Sequence, residues 1–161
     1  MNENTTAFMG KKVRDVISGA EGIVIAIFHW ITGCDTVLFE DPSEKTHSAE
    51  LGRLEIVGDG CMDRLDPELF QHEQEYLCNL GRSGTDRISG YTGTVIGMCV
   101  NAFRASQYCL LAPAVDGKLA RSEIMDCARI DFADDAPAVE PETVRERIGG
   151  GFAVPENMTF I

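Results

Sequence analysis

Asp15-Val16-Ile17-Ser18-Gly19-Ala20-Glu21-Gly22-Ile23-Val24-Ile25 and Asp86-Arg87-Ile88-Ser89-Gly90-Tyr91-Thr92-Gly93-Thr94-Val95-Ile96 are the two stretches that decide the fold. Both read D-x-I-S-G-x-x-G-x-V-I. Laid over one another without a gap, residues 10–42 and 81–113 agree at Gly10/Gly81, Asp15/Asp86, Ile17/Ile88, Ser18/Ser89, Gly19/Gly90, Gly22/Gly93, Val24/Val95, Ile25/Ile96 and Pro42/Pro113. Past Pro42 the second copy carries an insertion of five residues. The copies realign at Arg53-Leu54-Glu55-Ile56 and Arg129-Ile130-Asp131-Phe132. Self-similarity at a fixed offset marks one structural unit used twice.

Within one copy, Val13 to Ile17 reads as a short strand with apolar residues at alternating positions. Ser18-Gly19 begins a turn and Gly22 ends it, glycine supplying positive φ or close backbone approach. Gly22 to Phe28 is a second strand, rich in β-branched residues. A loop from Trp30 to Asp35 leads to a strand at Thr36 to Phe39, and Arg53 to Val57 closes the copy. Copy two repeats the plan at Asp86 to Ile88, Gly93 to Val100, Gln107 to Ala112 and Arg129 to Phe132. Short strands separated by glycine turns read as a small curved barrel. A unit of about 50 residues is marginal alone, so the two are expected to pack together or on the segment between them. Asp15 and Asp86 are either functional carboxylates or acceptors for the amides of their own turns, and the second reading is the expectation.

Residues 58–80 join the copies. Asp66-Pro67-Glu68 is a helix start, with an acceptor at the N-cap and proline at the first position. A helix is predicted over 67–79, its outer face carrying Glu68, Gln71, Glu73, Gln74 and Glu75 in water. After the second copy comes an acidic, proline-containing linker, two helical turns at 141–148, and an apolar tail at 152–161. Such a tail is expected to dock on its own barrel or on a neighbour.

The chain has 161 residues, with 26 acidic and 14 basic side chains and a net charge of −12. That charge repels phosphate at long range and argues against a nucleic-acid partner. Cys34, Cys61, Cys78, Cys99, Cys109 and Cys127 show no C-x-x-C spacing, and His29, His47 and His72 share no ligand spacing. No metal or cofactor is therefore expected, and the cysteines read as reduced, buried, small apolar residues. The N-terminal stretch lacks the basic region and apolar core of a signal peptide. No apolar run approaches the ~20 residues of a membrane span. No phosphate loop, dinucleotide fingerprint or nucleophile elbow occurs. His29 and Cys34 share a loop, but nothing in the sequence orients the imidazole toward the thiol. No catalytic residue is assigned.

The stretch Gly10-Lys-Lys-Val13-x-Asp15-x-Ile17-x-Gly19-x-x-Gly22-Ile-Val24 resembles the strand–turn–strand of SH3-like and KOW-type barrels. More specifically, it is similar to small proteins of tailed bacteriophages that follow this opening with a Gly-Cys loop and close on an "RLEV"-like strand. Gly33-Cys34-Asp35 and Arg53-Leu54-Glu55-Ile56 correspond to those later elements, whereas copy two has Arg104-Ala105-Ser106 in place of the Gly-Cys-Asp loop. The resemblance implies a mainly β chain of two tandem SH3-like barrels, residues 1–57 and 81–133. One α-helix in 58–80 joins them, and 134–161 form the linker, short helix and tail. It implies a phage or prophage origin and no particular activity.

Binding residues are expected in the loop after the second strand: His29, Trp30 and Ile31 in copy one, Asn101, Phe103 and Arg104 in copy two. Aromatic and arginine side chains are favoured anchors at interfaces. The alternative is that Trp30 and Phe103 plug the two barrels or meet at their junction. Phe160 is the candidate anchor of the tail. The leading expectation is a non-enzymatic protein–protein interaction module, a virion component such as an adaptor or decoration protein, which could form a homo-oligomer. It would act in the host cytoplasm or the virion, away from membranes. The alternatives are a soluble acidic inhibitor of a host factor, and a protein that sequesters a small signalling nucleotide through Arg82, Arg87 and Arg104.

Overall fold

The computed structural model describes residues 3–133 and 139–141. The fold is mainly β and every pairing between its strands is antiparallel. Copy one lays down β1 (Lys12–Asp15), β2 (Glu21–Trp30), β3 (Thr36–Glu40) and β4 (Thr46–Glu50). A 3-10 turn at Leu51–Arg53 and β5 (Leu54–Gly58) follow. Copy two does the same with β6 (Ser83–Asp86), β7 (Thr92–Asn101), β8 (Gln107–Leu111) and β9 (Ser122–Asp126), then a 3-10 turn at Cys127–Arg129 and β10 (Ile130–Phe132). In each copy the first strand pairs with both the second and the last, and the third lies between the second and the fourth. The five-residue insertion lengthens the β8–β9 connection, residues 112–121 against 41–45 in copy one.

The repeated turn departs from its sequence reading at one residue. Strand alternation carried through Ile17 would turn that side chain inward, as Val13 is. Instead β1 stops at Asp15, which is buried and accepts hydrogen bonds from the Ile17 amide at 3.1 Å and the Ser18 hydroxyl at 2.7 Å. The Gly19 amide closes the turn on the Asp15 carbonyl, with Gly19 at φ +76°. Ile17 is left 73% exposed. Copy two is the same: Asp86 accepts from the Ser89 amide and hydroxyl, Gly90 sits at φ +76°, and Ile88 is 76% exposed. The arginine that ends the 3-10 turn before each closing strand meets the aspartate through two nitrogens, Arg53 on Asp15 at 3.2 and 2.5 Å and Arg129 on Asp86 at 2.9 and 2.6 Å. The Arg53 hydrogen bonds, aided by Ser18, hold the Asp15 carboxyl down at about 2, and Arg129 and Ser89 lower Asp86 in the same way. These carboxylates brace turns, as expected.

The two copies are joined strand to strand. β2 and β7 each run ten residues, and their first halves pair within their own copy. Against β3 and β8, the register slips at the same place in both, between Val24 and Ala26 and between Val95 and Gly97. A bulge of this kind bends and re-aims a strand. The second halves then pair with each other, Ala26 opposite Asn101, Phe28 opposite Cys99 and Trp30 opposite Gly97. Exchanging each residue for its counterpart in the other copy leaves that register unchanged, so a pseudo-twofold axis passes between Phe28 and Cys99. The last five residues of β2 are all buried, the pattern of a strand covered on both faces.

One apolar cluster draws Val13, Val24, Ile27 and Phe39 from copy one and Val95, Met98, Tyr108 and Ile130 from copy two. A second, on the other face of the seam, holds Ala26, Phe28, Trp30, Leu38, Cys99 and Cys109. Sharing a core is how two units too small to bury enough surface alone become stable. Of the six cysteines, four are buried and Cys34 is half-buried. Cys78 is exposed, contrary to the expectation for the set.

The segment between the copies is not one helix. Asp66 caps as read, accepting from the Glu68 amide at 3.0 Å, but Pro67–Phe70 is a 3-10 turn and only Glu73–Leu77 (α2) is α-helical. The break at His72, with φ −102° and ψ 7°, lets Phe70 and Glu73 both turn inward. Glu73 is therefore buried, not part of a solvated acidic face. An N-terminal helix, α1 (Glu3–Phe8), which the sequence reading omitted, precedes copy one as α2 precedes copy two. Each is followed by a glycine whose amide bonds into the next unit, Gly10 to the Val24 carbonyl and Gly81 to the Val95 carbonyl. The repeat thus begins with its helix. The predicted helix at 141–148 and the tail with Phe160 lie outside the described residues, apart from Pro141 itself. Just before it, the Val139 amide bonds to the Gly81 carbonyl.

Candidate functional site

His29 stands near the end of β2 and is 4% exposed. Its Nδ1 lies 3.1 Å from Asp35 Oδ2. Its Nε2 lies 3.4 Å from Glu73 Oε1 and 3.2 Å from Thr5 Oγ1. Thr5 donates its hydroxyl to Glu73 Oε1 at 2.7 Å, and Asn4 donates its amide to Asp35 at 2.8 Å. One imidazole thereby ties together α1, β2, the 31–35 loop and α2. Burial opposes a charge on the ring, but hydrogen bonds and attraction from Asp35 and Glu73 outweigh it and raise the His29 pKa to about 9. At neutral pH the ring is an imidazolium with both nitrogens engaged. Its partners are Asp35, Thr5 and Glu73, and no hydrogen bond joins the ring to the Cys34 thiol among the described residues. Copy two has Val100 and Ser106 in the places of His29 and Asp35. This ionic knot belongs to copy one alone.

Trp30 is the last residue of β2 rather than the first of the loop, and it is buried. Its ring stacks on Phe28 with centroids 5.5 Å apart, and its Nε1 donates to Thr36 Oγ1 at 3.0 Å. It lies against Gly97 of copy two, where a Cβ would come within 2.5 Å of the indole. Trp30 therefore fills the junction of the two copies, the alternative reading of this residue. Beside His29 and Trp30 is an open cavity of about 520 Å³, whose walls include Cys34, Asp35, Leu77 and Leu80. Ile31, in the turn after β2, is buried, and its amide bonds to the Ile96 carbonyl of copy two at 2.9 Å.

Phe103 and Arg104 are exposed on the loop after β7, separate from His29 and Trp30. They line a groove of about 540 Å³ over the sheet of copy one, with Asn101, Ile25 and Leu38. Phe103 also borders an adjoining groove of about 460 Å³ that reaches Pro42 and Arg64. The candidates thus divide between two places: a buried pair at the junction and an exposed pair on a groove.

The three arginines of the nucleotide reading do not converge. Arg82 bonds Asn79 at 2.7 Å and lies 4.7 Å over the Phe132 ring. Arg87 bonds the Ala128 and Arg129 carbonyls and pairs with Asp131 at 3.5 Å. Neither lines the groove that holds Arg104. Among the described residues no group of three His, Cys, Asp or Glu side chains is placed to hold a metal ion, and no helix is long and apolar enough to cross a membrane.

The sequence reading missed three residues that the structure brings forward. Alternation makes Ile17 and Ile88 strand residues, but an Asx turn at the aspartate two positions earlier ends the strand. Glu73 shares a helical face with Leu77 and Leu80, a spacing that signals burial. Comparison with protein-family models, with curated proteins and with solved structures finds no match.

Proposed function

We propose that this chain is a protein–protein interaction module without a catalytic role, made of two fused SH3-like units, and that it is a structural component of a tailed-phage particle. The SH3-like assignment is supported by the strand order of each copy, with a 3-10 turn before a last strand that returns to the first. The interaction role rests chiefly on Ile17 and Ile88. Scattered exposed apolar residues are ordinary, but these are the same residue at the same place in both copies. Each is presented on a turn fixed by a carboxylate–arginine pair. In copy one Val16, Ile56 and Val57 are exposed as well, and the Val16 amide bonds to the Arg53 carbonyl beside β5. Because β2 and β7 overlap only at their far ends, the two turns stand at opposite ends of the β2–β7 ribbon. Two rigid apolar tips at opposite ends suit a protein that bridges neighbours.

The test is mass spectrometry of purified particles from the source, with a photo-crosslinking residue at position 17 or 88. The proposal predicts the chain in the particle and crosslinks from both positions to particle proteins. Absence from the particle removes the structural role.

A further inference from the structure

The pseudo-twofold axis makes a comparison possible within one molecule. Trp30 and Asn101 are counterparts, as are Gly97 and Ala26. At one site a tryptophan covers a glycine, and the cavity beside it is lined by Thr32, Cys34 and Asp35 with no exposed aromatic. At the other, an asparagine stands opposite an alanine, its amide turned to the Ala105 carbonyl at 3.1 Å, and the groove beside Phe103 is open. The substitutions around it follow the same division. Phe103, 56% exposed, has Thr32 as its counterpart, and Glu40 has Leu111. The two grooves that Phe103 borders also share Ile25 and Glu40, so they form one trough with Phe103 at its middle.

From this asymmetry we propose that the trough is the binding site for an extended segment of a partner protein, one that presents an apolar side chain followed closely by lysine or arginine. The apolar side chain packs against Phe103 and Ile25. The basic one meets Glu40 and Glu44. Those two carboxylates make no ion pair or side-chain hydrogen bond among the described residues, whereas Glu21 and Asp41 nearby are already held by Arg14 and His47. Basic side chains line the trough too, Arg104 beside Glu40 in one groove and Lys12 and Arg64 with both carboxylates in the other. Lys12, however, is paired with Glu21 at 3.7 Å, and in that second groove four acidic side chains face two basic ones. A free acidic pair beside an exposed aromatic selects a basic, apolar segment over an acidic one. The inference deepens the interaction-module reading and rests on it.

The experiment probes the full chain with an array of random peptides, then measures the best binder by fluorescence anisotropy. The expected result is a consensus with an apolar residue within three positions of Lys or Arg. Phe103→Ala should weaken that peptide at least about tenfold. Glu40→Gln with Glu44→Gln should weaken it about fivefold and flatten its salt dependence. Leu119→Ser, on the β8–β9 connection, should leave it unchanged, and all variants should melt like the parent because the altered side chains are at the surface. No selected peptide, an acidic consensus, or binding insensitive to Phe103→Ala overturns the trough. If the chain is found in particles all the same, the interaction module stands and only this site fails. If peptides bind as expected but the chain is absent from particles, the virion role fails and the site stands.

Discussion

Deprotonating His29 should loosen the molecule at a pH where ordinary histidines have long been neutral. In the unfolded chain its pKa is the usual 6.5; in the fold, Asp35 and Glu73 overcome the burial and raise it to about 9. A folded value above the unfolded one means that the fold favours the protonated ring. The resulting stability is fully present below pH 6.5 and is lost as pH rises through about 9. At about 1.4 kcal/mol per pH unit, that gap is worth about 3 kcal/mol, a large share of the ~5–15 kcal/mol that holds a domain of this size. A second process runs in the same direction. Burial pushes the Cys99 and Cys109 thiols up to about 12 and about 11, so unfolding above the ordinary thiol range also releases protons. The comparison must therefore be with His29→Gln, which keeps the cysteines. Urea unfolding with reductant, at roughly pH 6 and roughly pH 9.5, should show the parent losing about 3 kcal/mol more than the variant between the two conditions. The variant should be weaker at the lower pH, where Asp35 and Glu73 lose the cation between them. Equal losses in parent and variant would refute the imidazolium.

Gly97→Ala places a methyl group within 2.5 Å of the Trp30 ring and should cost about 1–3 kcal/mol by urea unfolding, with a shift in Trp30 fluorescence. Acid should act through the turn aspartates. The Asp15 carboxyl lies at about 2 against an ordinary 3.8, so its contribution is present above about pH 4 and fades as pH falls toward 2. Asp15→Asn should accordingly show a shallower loss of stability over that range. Because both copies feed one core, Trp30 fluorescence and far-ultraviolet circular dichroism should report a single coincident unfolding transition rather than one per copy.

What the sequence disclosed and what it withheld follow from the range of each interaction. Gly19, Gly22 and their counterparts mark the repeat because turn geometry is local. Gly22 is packed so close to β3 that a Cβ would meet the Glu40 carbonyl at 2.4 Å. The aspartate–arginine brace was half legible: Asp15 read correctly as a turn acceptor, but its arginine comes from the far end of the copy. Period-2 alternation fails at Ile17 because it runs two residues beyond Asp15, into the turn that ends the strand. The seam was hidden for a different reason. The run Ile25 to Trp30 announces burial but does not name the strand that covers it, and Trp30 with Gly97 is legible only once the register is known. The same holds for His29, whose partners come from α1, a loop and α2. Phe103 and Arg104, predicted as a binding pair, do fall together on a groove, and that groove lies on the other copy.

The β2–β7 register is the joint on which the shared core, the buried Trp30 and the open trough all depend. Backbone nuclear Overhauser effects in the labelled full-length chain measure it directly. The account predicts cross-strand contacts linking residues 26–30 to 97–101 about the Phe28–Cys99 pair, Trp30 to Gly97 and Ala26 to Asn101. Contacts that pair either strand with a different partner, or that leave the two copies unconnected, would contradict it.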